Sequence, residues 1–144
     1  MNKNIKEIIY IAGVVTNNTE LLKLVENGYP NVYCHHMTIK YGNITELPDF
    51  IGVKFDFVSN AIYKDESAIA ITGKAYNSKV KKMMKENNQH SHITICTAEG
   101  IKPVYSNVLI QTEVGEELKI KVQMRVGAFC VFEDGSKDWL YENQ

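Results

Sequence analysis

A chain of 144 residues, 44% hydrophobic and 23% charged, is long enough for one domain, residues 1–144, with a buried core. Its formal net charge of −1 leaves no global basic field, so tight non-specific binding to long nucleic acid is not expected. Cys34, Cys96 and Cys130 are odd in number and lack framework spacing, which argues against a disulfide scaffold and for a cytoplasmic, reducing location. No apolar run approaches a membrane span, and residues 1–6 lack the apolar stretch of a signal peptide, so no membrane association is expected.

The elements follow in chain order. Residues 8–16 read as a buried strand. Asn17, Asn18 and Thr19 supply cap chemistry for a short helix carrying Leu21, Leu22 and Val25, which ends before Gly28. A strand then runs from Val32 or Tyr33 to Tyr41. With regular alternation, Cys34, His36, Thr38 and Lys40 share one face, and His35, Met37, Ile39 and Tyr41 share the other. Residues 42–52 form a loop. Residues 53–63 and 67–73 read as a hairpin around Lys64, Asp65 and Glu66. Asn77 or Ser78 caps a basic helix over residues 79–87, with Val80, Met83 and Met84 inward and Lys79, Lys81, Lys82 and Lys85 on a solvated face. Residues 89–96 form another strand, with His90, His92, Thr94 and Cys96 in one parity. After a loop at residues 103–107, Ser106 or Asn107 caps a short turn. Residues 118–122 and 126–132 read as two strands, and Trp139, Leu140 and Tyr141 pin down the tail. With about seven or eight strands against two or three helices, the fold class is α+β.

Two short stretches stand out: His36-Met37-Thr38 and His92-Ile93-Thr94. In a strand, His and Thr two residues apart face the same space, about 6–7 Å apart at Cα. A buried strand face wants apolar residues, so His plus Thr on one face, twice, indicates a polar cleft. Histidine has an ordinary pKa near ~6.5 and trades protons at neutral pH. Two imidazoles can act as base and acid on opposite sides of a reacting centre. Two hydroxyls can hydrogen-bond the non-bridging oxygens of a phosphoryl group. Such a set cleaves a phosphodiester without a metal or cofactor.

These paired His-x-Thr strands resemble the two-histidine phosphoesterase superfamily. It includes RNA 2′,3′-cyclic phosphodiesterases, the phosphodiesterase domain of fungal-type tRNA ligases, and phage nucleases that destroy cyclic oligonucleotide alarms (anti-CBASS proteins). The stretch from Gly100 to Asn107 also resembles some members. The resemblance implies a two-lobed fold in which antiparallel sheets form a central groove with helices outside. It implies catalytic roles for His36, Thr38, His92 and Thr94, and a nucleotide or short RNA end as substrate. The free-standing, Asn-, Lys- and Ile-rich chain favours a cyclic oligonucleotide over a 2′,3′-cyclic RNA end.

Other residues carry weaker readings. Lys40 can neutralise a phosphate at the groove edge, though a solvated strand-end lysine is the default, and Tyr105 and Tyr10 can stack on a base, with packing an equal reading for Tyr105. His90 can reach the cleft rim, with a solvent-exposed loop position as the default, whereas His35 has the wrong parity and reads as structural. Cys34, His36, His90, His92 and Cys96 are zinc-type ligands, but their spacings match no finger pattern and both threonines would be left without a role. The rivals to a metal-independent phosphodiesterase are a nucleotide-binding module that does not cleave and a zinc-holding structural protein.

Overall fold

The computed structural model describes residues 4–142, so Met1, Asn2 and Lys3 of the leader reading lie outside the described residues. The long strands are β1 (Ile5–Val15), β3 (His36–Ile44), β4 (Lys54–Lys64), β5 (Ala68–Ala75), β6 (His92–Thr97) and β8 (Lys121–Phe132). Short strands are β2 (Asn31–Val32), β7 (Glu116–Glu117) and β9 (Lys137–Leu140). Three α-helices, α1 (Thr19–Leu22), α2 (Ser78–Glu86) and α3 (Ser106–Thr112), and a single 3-10 turn at Pro103–Tyr105 complete the described chain. An α+β domain is what the residue pattern led to.

Separate sheets were expected, but all nine strands join one antiparallel sheet. Its order is β2-β6-β5-β4-β8-β1-β3, with β7 added to β4 and β9 to β8. The link is the pairing of Lys54–Val58 in β4 with Lys121–Arg125 in β8. The strands expected at 118–122 and 126–132 are a single strand. Gly127 does not break it, because it pairs with Ala12 of β1. A side chain there has no room: a Cβ would lie 2.7 Å from Tyr141 Cε1. The tail expected as a pinned turn is a hairpin, with Trp139 paired to Phe129.

The chain uses one β-α-β unit twice. In the first, β1 is followed by α1, the two-residue β2 and then β3, which pairs back on β1. In the second, β5 is followed by α2 and then by β6, which pairs back on β5. Each returning strand carries a bulge at the same place. Ile39 is the extra residue opposite Ile11 and Ala12. Ile95 is the extra residue opposite Ile69 and Ala70. Both bulges directly follow the threonine of a His-x-Thr motif.

The main core lies on the face holding Met37, Ile39, Ile71, Ile93 and Ile95, all fully buried. Leu21 of α1 and Val80 and Met84 of α2 close over it. Helix α2 begins where the sequence places its cap: the Asn77 side chain accepts from the amides of Lys79 and Val80, both at 3.0 Å. Helix α3 packs on the other face of β5, through Leu109 against Ala68 and Ala70.

The two ends of the sheet meet. After β2 pairs with β6, Tyr33 N–H donates to Ile95 O at 2.9 Å and Cys34 N–H to Thr94 O at 3.1 Å. Cys34 then turns through a φ of +51°, and the chain passes to the opposite edge, where Val15 N–H donates to His35 O at 2.8 Å. This crossing sets β3 beside β6 although they stand at opposite ends of the strand order.

Candidate active site

A cavity of about 540 Å³ opens between β3 and β6, lined by His36 and Thr38 from one and His92 and Thr94 from the other. Each motif is held the same way. Its middle residue, Met37 or Ile93, is buried in the core, which turns the flanking His and Thr outward into the cavity. Tyr33, Tyr41 and Gln89 add to the walls, and Pro103, Val104 and Asn107 form the rim near α3. Among the described residues, no lysine or arginine lines this space.

His92 Nδ1 lies 3.1 Å from the carbonyl oxygen of His90. A carbonyl only accepts, so His92 donates there and keeps its Nε2 lone pair free in the neutral ring. His36 Nδ1 lies 3.0 Å from Nδ1 of His35. Its ring stacks on Tyr10, with centroids 5.4 Å apart, and lies 5.9 Å from the Trp139 ring. Burial pushes His36 down to a pKa of about 4, with His35 and His92 adding to the effect. Burial also lowers His92. The bond to the His90 carbonyl opposes that shift, and the nearby His90 ring adds to it. Both shifts favour the neutral imidazole at pH 7.

Thr94 Oγ1 is 2.7 Å from Oγ of Ser106, which is fully buried at the start of α3. When Ser106 donates to Thr94, the threonine O–H is free to donate into the cavity; its contact with Pro103 O is long, at 3.5 Å.

The other expected contacts fall elsewhere. Lys40 lines a second cavity, of about 610 Å³, together with Asn43, Glu46 and Asp49. The bulge at Ile39 is the reason: it reverses the alternation, sending Lys40 away and bringing Tyr41 round to His36 and Thr38. Tyr105 points from the rim to the β4–β5 turn, where its hydroxyl donates to Asp65 Oδ2 at 2.5 Å. Tyr10 backs His36 rather than lining the cavity. Cys34 and Cys96 are buried in the core, and among the described residues no three His, Cys, Asp or Glu side chains gather for a metal. The positive φ of Cys34 breaks the parity that placed it with His36. Alternation alone missed Tyr41, and it read Gln89 only as the start of a strand and Asn107 only as a cap. Their one sequence signal is proximity to a motif.

Two His-x-Thr strands facing one cavity define the two-histidine phosphoesterase class. The family model of the fungal tRNA ligase phosphodiesterase domain matches residues 27–129, which include both motifs and more than two thirds of the chain. The chain belongs to that family. No curated protein matches it.

Proposed function

We propose that the protein is a metal-independent phosphodiesterase that opens 2′,3′-cyclic phosphates at RNA ends. The observation that carries this reading is the shared cavity: His36, Thr38, His92 and Thr94 line one space within the matched region. One imidazole takes a proton from the attacking water through its Nε2 as the water oxygen bonds to phosphorus. The bond from phosphorus to one ribose oxygen breaks, and the other imidazole, in its protonated form, gives that oxygen a proton. The product is a phosphomonoester with a free neighbouring hydroxyl. Thr38 and Thr94 donate to the non-bridging oxygens, where negative charge builds up. Tyr41, stacked on Tyr10 with centroids 6.0 Å apart, offers its face to the base.

The composition that favoured a cyclic oligonucleotide has no counterpart in the site, whereas the family match favours the RNA end. A small anionic substrate also suits a cavity without lysine or arginine better than a long polyanion does. A cytoplasmic location belongs to the same reading. Among the described residues no helix is long and apolar enough to cross a membrane.

The test is an assay with EDTA present, read by chromatography and phosphorus NMR. The panel holds 2′,3′-cyclic mononucleotides, an RNA ending in a cyclic phosphate, and cyclic di- and trinucleotides. Wild type is expected to open the 2′,3′-cyclic members. His36→Ala and His92→Ala are each expected to lose at least ~100-fold in rate. Cleavage of the cyclic oligonucleotides alone would reverse the substrate assignment. Substrate recovered bound but whole would leave a sequestering module.

A further inference from the structure

We propose that His35, whose Nδ1 lies against that of His36, is a positioning residue that holds the Nδ1 proton of His36 and leaves its Nε2 to exchange the proton in the cavity. This rests on the reading of His36 as an acid–base group.

Two ring nitrogens 3.0 Å apart share one hydrogen, so one ring donates and the other accepts. The direction follows from the chemistry asked of His36. Whether it gives a proton or takes one, it is an imidazolium for part of the cycle, and an imidazolium donates from both nitrogens. His35 must then accept through Nδ1, with its own hydrogen on Nε2. If His35 donated instead, every protonation of His36 would require His35 to surrender the bond or shift its own hydrogen. With His35 accepting throughout, only Nε2 of His36 changes state. The arrangement then parallels the other motif, where the His90 carbonyl holds the Nδ1 proton of His92.

The setting supports this assignment. The His35 ring meets the His36 ring edge-on, at 82°, and rests against Trp139 with centroids 5.6 Å apart. Trp139 sits on β9, so the hairpin tail braces the pair. His35 is otherwise exposed, and its Nε2–H can be satisfied by water. Burial lowers its pKa too, which favours the neutral ring that an acceptor must be. The other groups about His36 are Tyr10 from β1, His92 from β6 and Trp139 from β9. Among the described residues, none of these three hydrogen-bonds its Nδ1. A regular strand would point His35 away from His36, but His35 precedes β3, which begins at His36, and is not held to that alternation.

The test is long-range proton–nitrogen NMR of the free protein with ¹⁵N-labelled histidines at neutral pH, which reads the tautomer whether or not the protein cleaves anything. Wild-type His36 is expected to carry its proton on Nδ1. His35→Asn puts an amide where Nδ1 was and is expected to keep that tautomer. His35→Phe keeps the ring against Trp139 but removes the acceptor, and is expected to move His36 toward the Nε2–H form. In the assay, His35→Phe should lower kcat by about 10- to 100-fold with little change in KM, as loss of a partner orienting a working imidazole does in metal sites, and His35→Asn should restore most of it. An Nε2–H tautomer in wild-type His36, or a tautomer unmoved by His35→Phe, overturns the inference. An inactive wild type with the expected tautomers would instead sink the function and leave the nitrogen assignment standing.

Discussion

His36 is asked to hold a proton where the protein disfavours one. Its pKa is pushed down to about 4, and that of His92 is also below the ordinary value of 6.5. Acid–base cleavage needs one ring neutral and the other protonated. Singly protonated free enzyme is most abundant between the two titrations of the pair, and both lie on the acid side of 6.5. The pH dependence of kcat/KM reports the free enzyme. It should therefore peak below pH 6.5 and fall toward neutral pH by nearly tenfold per unit. Initial rates on a 2′,3′-cyclic mononucleotide from pH 4 to 8 check this. A profile still rising at pH 7.5 would exclude the His36–His92 pair as the acid and base. The profile of kcat should lie at higher pH, because a bound phosphodiester anion stabilises the imidazolium and no lysine or arginine lines the cavity, among the described residues, to weaken that effect.

At the scale of the element, the two bulges decide what the cavity contains. Regular alternation carries His36 to Thr38 and His92 to Thr94, which is why both pairs were legible as strand motifs. One residue later the alternation fails, at Ile39 and at Ile95. A bulge depends on how the partner strand pairs, and the apolar Ile that forms it looks like any core residue in sequence. Lys40 was accordingly expected in the cleft and Tyr41 in the core; the structure puts Tyr41 at the cleft and Lys40 in the second cavity. The crossing at Cys34 was illegible for the same reason, since a left-handed non-glycine residue leaves no composition signal. The Asn77 cap of α2 and the β4–β5 hairpin rest on local chemistry and were legible, whereas Asn18 makes no side-chain capping bond to α1 and neither Ser106 nor Asn107 caps α3. Tyr41 is 67% exposed and Val104, on the facing rim, 68%. Apolar surface so exposed at the mouth of a polar cavity suits the face of a base. Tyr41→Ala should raise KM by about 5-fold or more while kcat changes little, since base–aromatic stacking is worth about 1–3 kcal/mol. An unchanged KM for nucleotide substrates would place the base elsewhere.

At the scale of the molecule, the site belongs to both β-α-β units, so it exists only while they stay joined. The joint is continuous. One core runs from Met37 and Ile39 through Phe57 and Met124 to Ile93 and Ile95, and β4 pairs directly with β8. Neither half can unfold without exposing the other's core, so a single cooperative transition is expected. Trp139 is the only tryptophan and reports from β9, beside His35 and His36, while far-UV dichroism reports the whole sheet. The two signals should coincide in urea. The same experiment tests the buried histidines. The unfolded chain takes up a proton at His36 below about pH 6.5, whereas the folded chain resists until about pH 4. The unfolded state thus binds more protons across that window, so stability is full above pH 6.5 and is lost as pH falls through it. At pH 5 the loss from His36 alone is at most about 2 kcal/mol, because the ring is part-exposed, and His92 adds in the same direction. His36→Phe should shrink the difference between pH 7 and pH 5. Separate transitions for the two probes would show the halves folding independently. A wild type equally stable at both pH values would mean that His36 is not held neutral by burial, and the expected acid optimum of kcat/KM would lose its basis with it.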